Sequence, residues 1–390
     1  MNFDTPPNRI GTHSVKWDGM EDRYGVSPQD GLSMWVADMD FQAPPCVLER
    51  LRDLTDQGLF GYYDNNQPYL EAIQWWMQNR HGWSIEPDWV FTTTGVVNGA
   101  GMCLDVYTAP GDGIVLFTPV YHAFARIIEA AGRVVVECEM PEDNGRYQMD
   151  FAAWDAQMTG SETMLILCSP HNPGGAVWTH AELLGIADFA KRHNLVIVSD
   201  EIHQDLVFAG HKHIPFATVD STVLDRTVIL NAPSKTFNIA GLHNGNVIIP
   251  DPDLRARFAE RIGGIYIASN TFGTAGTEAA YSPDGAEWVD ALMEYLAGNK
   301  AVFDAAIADI PGLRSMPLQS TYLSWVDFAG TGMDRAEFTC RIEQEAKIAA
   351  NHGPTFGKGG ESWLRFNIGT QRSRIEEAGD RLRRAFADLQ

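Results

Sequence analysis

The chain has 390 residues, 45% of them hydrophobic and 21% charged, with 29 Lys and Arg against 51 Asp and Glu and a formal charge of −22. That length suits two packed domains rather than one small core, and the composition excludes wholesale disorder. The acidic charge is dispersed, which reads as a solvated surface and disfavours nucleic acid or anionic membrane as partners.

In chain order, the first forty or so residues are irregular and rich in turn formers, ending at Met34-Trp35-Val36-Ala37. A helix is expected after Ala43-Pro44-Pro45, because proline suits the first helical turn. From Trp89 a rhythm sets in. Trp89-Val90-Phe91 reads as a strand, followed by Thr94-Gly95 and a helix through Leu104. Further strands are expected over 113–117, 133–137, 164–168, 195–199, 227–230 and 246–249, with helices through Ala130 and over 181–193 between some of them. Short aliphatic and β-branched runs alternating with helices predict a mainly parallel sheet covered on both faces.

After Tyr281 the pattern changes to a long helix over 288–310, a strand over 321–328, a helix over 335–350 and a strand over 363–368. A terminal helix is expected near Ser373, which has capping-box spacing to Glu376. The expected division is a large domain over 41–284 and a small C-terminal domain over 285–390, with 1–40 packing on the small one. Five cysteines (Cys46, Cys103, Cys138, Cys168, Cys340) fit no C-x-x-C spacing, so buried thiols are the expectation rather than zinc or disulfides. No basic stretch and apolar run opens the chain and no apolar segment reaches about 18 residues, so no signal peptide or span is expected. The expected compartment is the cytoplasm.

Thr94-Gly95-Val96-Val97, Tyr121, Asn172, Asp200 and Lys235 each follow the C-terminal end of a different predicted strand. Open α/β sheets bind ligands in the crevice at those ends. Lys235 stands in a run of small and apolar residues, where partial burial lowers an amine's pKa and keeps it nucleophilic; a solvated loop lysine is the alternative. Asp200 ends an apolar strand, where it either caps the next segment or pairs with a cation in the crevice. Pyridoxal phosphate needs such a pair: a Schiff-base lysine, and an acid that keeps the ring nitrogen protonated.

Ser169-Pro170-His171-Asn172-Pro173-Gly174-Gly175, Ser199-Asp200-Glu201-Ile202-His203 and Ser234-Lys235-Thr236-Phe237-Asn238 resemble the motifs of fold-type I pyridoxal-phosphate enzymes. The spacings fit as well, with 28 residues from Asn172 to Asp200 and 35 from Asp200 to Lys235. Trp35-Val36-Ala37-Asp38-Met39-Asp40-Phe41 and Leu364-Arg365-Phe366-Asn367-Ile368-Gly369 extend the resemblance to the MalY/PatB branch of cystathionine β-lyases, over essentially the whole chain.

The resemblance implies an α/β fold with a mainly parallel seven-stranded sheet sandwiched by helices, plus a smaller α/β domain. It implies that Lys235 carries the cofactor and moves the α-proton, Asp200 holds the pyridine nitrogen, Tyr121 stacks on the ring and Asn172 contacts the ring hydroxyl. His203, in the Asp-Glu-Ile-His motif, joins the cofactor set. Gly95, Val96 and Val97 would offer backbone N–H groups to the phosphate at a helix N-terminus, with the Ser234 hydroxyl beside them. Arg365 would clamp the substrate α-carboxylate. Val36, Ala37 and Tyr62 would wall the substrate pocket, and Tyr62 would reach the site of a neighbouring subunit in a homodimer. Tyr62 and Tyr121 could instead be packing aromatics, Gly95 could serve only a turn, and either Tyr62 or Tyr63 could be the one that points inward.

Many aminotransferases have tyrosine three residues after the pyridine-binding aspartate and arginine eight after the lysine; here the residues are His203 and His243. This favours a carbon–sulfur lyase acting on cystathionine or cysteine thioethers. A pyridoxal-phosphate aminotransferase is the near alternative, and a cofactor-holding regulatory protein another. A nicotinamide oxidoreductase is disfavoured, since no G-x-G-x-x-G follows the first βα unit. His13, His122, His211 and His213 carry no partner pattern and are expected to be structural.

Overall fold

The computed structural model describes residues 1–62, 66–267 and 270–389. Among these, seven strands build the main sheet: β1 (Val90–Thr93), β2 (Gly113–Thr118), β3 (Val134–Glu139), β4 (Glu162–Cys168), β5 (Val196–Asp200), β6 (Thr227–Asn231) and β7 (Gly245–Ile248). Their spatial order is β3-β2-β4-β5-β6-β7-β1, with β7 antiparallel to both neighbours and the rest parallel. The apolar runs are buried on both faces for a simple geometric reason. Successive side chains point to opposite sides of a strand. Ile114 and Leu116 therefore enter one apolar cluster, with Phe124 and Phe258, while Val115 and Phe117 enter the other, with Trp154 and Phe189.

Local signals start several of the covering helices. Pro45 opens Pro45–Gln57, as its fixed φ allows. His180–Arg192 begins with a capping box: Glu182 N–H donates to Thr179 Oγ1 at 3.3 Å and Thr179 N–H to Glu182 Oε2 at 2.7 Å. A cap of this kind stabilises a helix by about 1 kcal/mol. The turn after β1 is held more tightly. Gly95 has φ +134°, and a Cβ on Gly245, at the start of β7, would lie 2.7 Å from the Gly95 carbonyl carbon. Only glycine allows the two segments to touch.

A second, antiparallel sheet comprises β8 (Arg314–Ser315), β9 (Leu323–Asp327), β10 (Asn351–His352) and β11 (Trp363–Asn367), in the order β8-β9-β11-β10. The helices Pro283–Ala308 and Arg372–Ala385 accompany it. The first forty residues contain more structure than their turn-rich composition predicts: helices Val15–Asp18 and Met20–Tyr24, then Leu32–Ser33 paired in parallel with Ile348–Ala349.

Two expectations about the tail need correction. The predicted helix over 335–350 runs as α-helix only over Arg335–Cys340 and continues as a π-helix over Arg341–Glu345. Lys347 then takes φ +54° and turns the chain into the strand pairing with Leu32–Ser33. The last helix starts at Arg372 behind Gln371, so Ser373 lies inside it and caps nothing. The thiols divide too: Cys103, Cys138 and Cys168 are buried, Cys46 is half-buried and Cys340 is exposed, on the solvent side of the short helix Arg335–Cys340.

An extended strap over 34–41 bridges the two sheets. Every carbonyl from Trp35 to Phe41 accepts a side-chain donor, as backbone removed from water requires. Arg365 takes Trp35, Asn367 takes Val36 and Asp38, Lys235 takes Ala37, Asn238 takes Met39 and Phe41, and Gln371 takes Asp40. The Asp40 carboxylate, fully buried, pairs with the buried Lys16 at 2.9 Å and accepts the Trp17 indole N–H at 2.8 Å.

Candidate active site

The C-terminal ends of the parallel strands open onto a cavity of about 320 Å³. β1 delivers Thr94 to Asn98, β2 Tyr121, β4 Asn172, β5 Asp200 and His203, and β6 Ser234 and Lys235. The antiparallel β7 begins at this same edge, so His243 just before it also faces the cavity.

Asp200 and Lys235 both line this cavity. Burial pushes the Asp200 carboxyl up to about 7, against the pull of the Ile202 N–H that donates to it at 3.0 Å. Among the described residues neither group forms an ion pair. Burial also lowers the Lys235 amine, opposed by the charge of Asp38, and its Nζ donates to the Ala37 carbonyl at 2.8 Å. His203 is buried with Nδ1 unpartnered, and burial holds its pKa down to about 3. The imidazole is therefore neutral. Tyr121 lines the cavity wall and packs edge-on to His122 and Phe124.

At the other end, Gly95 is the N-cap of the helix Val96–Tyr107 and supplies no capping side chain. The first N–H groups of that helix are donors without intrahelical partners, and the helix dipole favours an anion there. Ser234 Oγ lines the same cavity, with only the Asn244 carbonyl at 3.4 Å as acceptor among the described residues.

Arg365 comes from the second sheet. Its guanidinium is buried and donates to Asn172 Oδ1 at 2.8 Å, the Trp35 carbonyl at 2.9 Å and Asn351 Oδ1 at 2.8 Å. Its Nε has no acceptor among the described residues. Burial lowers its pKa to about 10, which still leaves it charged at neutral pH. A buried cation held by neutral acceptors, with its Nε–H and a second Nη1–H left over, is suited to a carboxylate.

A model of the family described as aminotransferase class I and II matches residues 30–382. The chain belongs to that family. It is 39% identical to cystathionine beta-lyase PatB of Bacillus subtilis (strain 168), over 99% of this chain and 100% of that protein. It is 32% identical to protein MalY of Escherichia coli (strain K12), over 97% of this chain and 96% of that one. The crystal structure of cystalysin from Treponema denticola, which contains a pyridoxal 5'-phosphate cofactor, matches with a TM-score of 0.94 at 34% identity, covering 100% of this chain and 99% of that chain.

Of the residues singled out from the sequence, Gly95, Val96, Val97, Tyr121, Asn172, Asp200, His203, Ser234, Lys235 and Ala37 meet in the cavity, and Arg365 reaches Asn172 at its edge. Two do not. The Val36 side chain packs against the cluster of Trp17, Met20 and Trp35 and is not among the residues that line the cavity. Tyr62 is 100% exposed and lies off its own chain's cavity. Tyr63 lies outside the described residues.

Sequence reasoning did not single out every residue at the site: Asn98, Cys168, Ile202 and Ala240 line the cavity beside Thr94, and Asn351 helps hold Arg365. Asn98 lies one helical turn after Thr94, a spacing that could have found it. His213, expected to be structural, is buried against Glu201 at 3.0 Å.

Proposed function

We propose that this chain is a pyridoxal-phosphate-dependent carbon–sulfur β-lyase. It acts in the cytoplasm, as a homodimer, on cystathionine or related cysteine thioethers. The observation that carries the reading is the meeting of Lys235 and Asp200 in one cavity, with Arg365 held at its rim. A full-length relative named as a cystathionine beta-lyase supports the reaction class.

The residues present fit the cofactor. An unpaired buried carboxylate near neutrality, a half-buried amine and an uncapped helix N-terminus are each costly or idle without a ligand of complementary chemistry. Pyridoxal phosphate, when bound, supplies an electron sink that eases loss of the Cα proton and of a leaving group at Cβ. Asp200 would keep a proton on the ring nitrogen, Tyr121 would pack against the ring, Asn172 would contact its hydroxyl, and the neutral His203 would stand beside the bound group. Val96 N–H, Val97 N–H and Ser234 Oγ would hold the phosphate. Arg365 binds the substrate α-carboxylate through its fork, with Nε gaining the acceptor it lacks. Lys235 Nζ takes the Cα proton, and Ala37 lies at the wall nearest that amine. The sulfur leaves with the Cβ–S electron pair and takes a proton. Overall, a thioether amino acid plus water gives thiol, pyruvate and ammonia.

The domain reading is part of the proposal: 41–284 as the large domain, 285–390 as the small one, and 1–40 packed on the latter. The pairing of Leu32–Ser33 with Ile348–Ala349 supports it. Support for the homodimer comes from Leu59, Phe60, Tyr62 and Tyr266, large apolar side chains exposed on the single chain, with Phe60 against Phe272 at 5.6 Å. An exposed aromatic set suits a self-complementary contact. Tyr62 would then complete the second copy's site.

The deciding assay supplies L-cystathionine alone and follows pyruvate, ammonia and free thiol. Matched release of the three is expected. No release, with rapid amino transfer once a 2-oxo acid is added, would make the protein an aminotransferase.

A further inference from the structure

We infer that Asn367 is a positioning residue for the Lys235 amine: by holding the carbonyls of Val36 and Asp38, it turns the carbonyl between them, that of Ala37, onto Nζ. The inference rests on reading Lys235 as the reactive amine.

The geometry is built from one amide nitrogen. Asn367 Nδ2 donates to the Val36 carbonyl at 2.6 Å and to the Asp38 carbonyl at 2.8 Å. Between them the chain makes a three-residue turn centred on Ala37, closed by Asp38 N–H donating to the Val36 carbonyl at 2.8 Å. In a trans peptide the C=O and the following N–H point in opposite directions. Because Asp38 N–H points back at the Val36 oxygen, the Ala37 C=O must point away from it, and Lys235 Nζ meets it there at 2.8 Å. Asn367 is itself immobilised, since its Oδ1 accepts Gly369 N–H at 2.7 Å. It sits on β11 two residues from Arg365, so both side chains leave the same face of one strand.

An amine on a flexible four-carbon stem loses reactivity when it wanders, and an acceptor that holds it restores orientation. The acceptor also favours the ammonium form. The charged groups acting on Lys235 are Asp38 and Asp200, which favour its proton, and Arg365, which opposes it; replacing Asn367 removes none of these charges, and the Asp38 carboxylate keeps its pairing with Arg9 as a further anchor.

The test uses full-length protein freed of cofactor. Lys235 is reductively methylated with formaldehyde and cyanoborohydride over a series of pH values, and its peptide is followed by mass. In Asn367→Ala and Asn367→Ser the pH midpoint should fall by about one unit, a tenfold change in ionisation constant. Gln371→Ala removes a different hydrogen bond to the strap, so its melting temperature should drop while the midpoint stays at the parent value. An unmoved midpoint in folded Asn367 variants overturns the inference, as does an equal shift in Gln371→Ala. If Asn367→Ala does not fold, Asn367→Ser decides; if neither folds, Asn367 belongs to the fold and not to the amine. Failure of the underlying reading looks different: Lys235→Ala would still take up pyridoxal phosphate through a reducible link.

Discussion

Arg365 and Asn172 join the two sheets at the mouth of the cavity: Nη1 of the arginine, on β11, donates to Oδ1 of the asparagine, in the loop after β4, at 2.8 Å. The corner proposed to bind the substrate carboxylate is therefore built jointly by the two sheets. Its geometry depends on both being in place.

The first consequence concerns that corner. Arg365→Lys retains a cation but not the planar fork, so it forfeits at least one charge-assisted hydrogen bond. KM for an amino-acid substrate should rise by about 10- to 100-fold, corresponding to about 1.5–3 kcal/mol. Steady-state kinetics on the holoenzyme measures this; an unchanged KM would show that the carboxylate binds elsewhere.

Lys235 is expected to hold the cofactor covalently. The purified protein should be yellow, with an absorption band that borohydride bleaches and locks onto the peptide containing Lys235. Lys235→Ala should lose both the bleaching and the modified peptide. Persistence of a reducible link in that variant would reassign the amine.

The exposed Tyr62 leads to a mixing experiment. Tyr62→Ala and Lys235→Ala should each be nearly inactive alone. Co-incubation under conditions of subunit exchange should restore some activity, because one mixed site regains both side chains. Proven exchange with no recovery would exclude a site completed across the interface.

Asp200 supplies a pH prediction. Its folded carboxyl, pushed up to about 7 by burial, titrates above an unfolded aspartate. The stability this group contributes is thus fully present below about pH 4 and is lost as pH rises through about 7. In cofactor-free protein, Asp200→Asn should match the parent near pH 4 and exceed its stability by about 4 kcal/mol above pH 8. Pyridoxal phosphate should reverse the order, since the carboxylate then gains a cationic partner. Urea denaturation across pH reads both effects, and a pH-independent difference would remove Asp200 from the account.

Most of the main sheet was legible because β-branched and aliphatic runs such as Ile114 to Phe117 are buried on both faces, and little else in a soluble chain needs that composition. The site was legible at strand ends for the same reason: Asp200 and Lys235 are polar residues placed where the apolar pattern stops. Directions of side chains were not. Val36 and Ala37 were equivalent until the strap showed which faces the cavity. Lys347 gave no warning of its left-handed turn, being neither glycine nor asparagine. The pairings of Lys16 with Asp40 and of His213 with Glu201 join residues whose spacing has no helical or strand period.

The contact between Gly95 and Gly245 has a consequence for variation in this protein. Gly245 pairs with Thr93, which sets β7 at one register against β1. A slip of one residue would bring Asn246 against the turn and fill the space in front of the helix N-terminus. Diversifying 94 and 96–98 while leaving Gly95 and Gly245 untouched therefore explores loop chemistry, whereas changing either glycine first erases the loop. The back wall is inherited, and only the front can be edited.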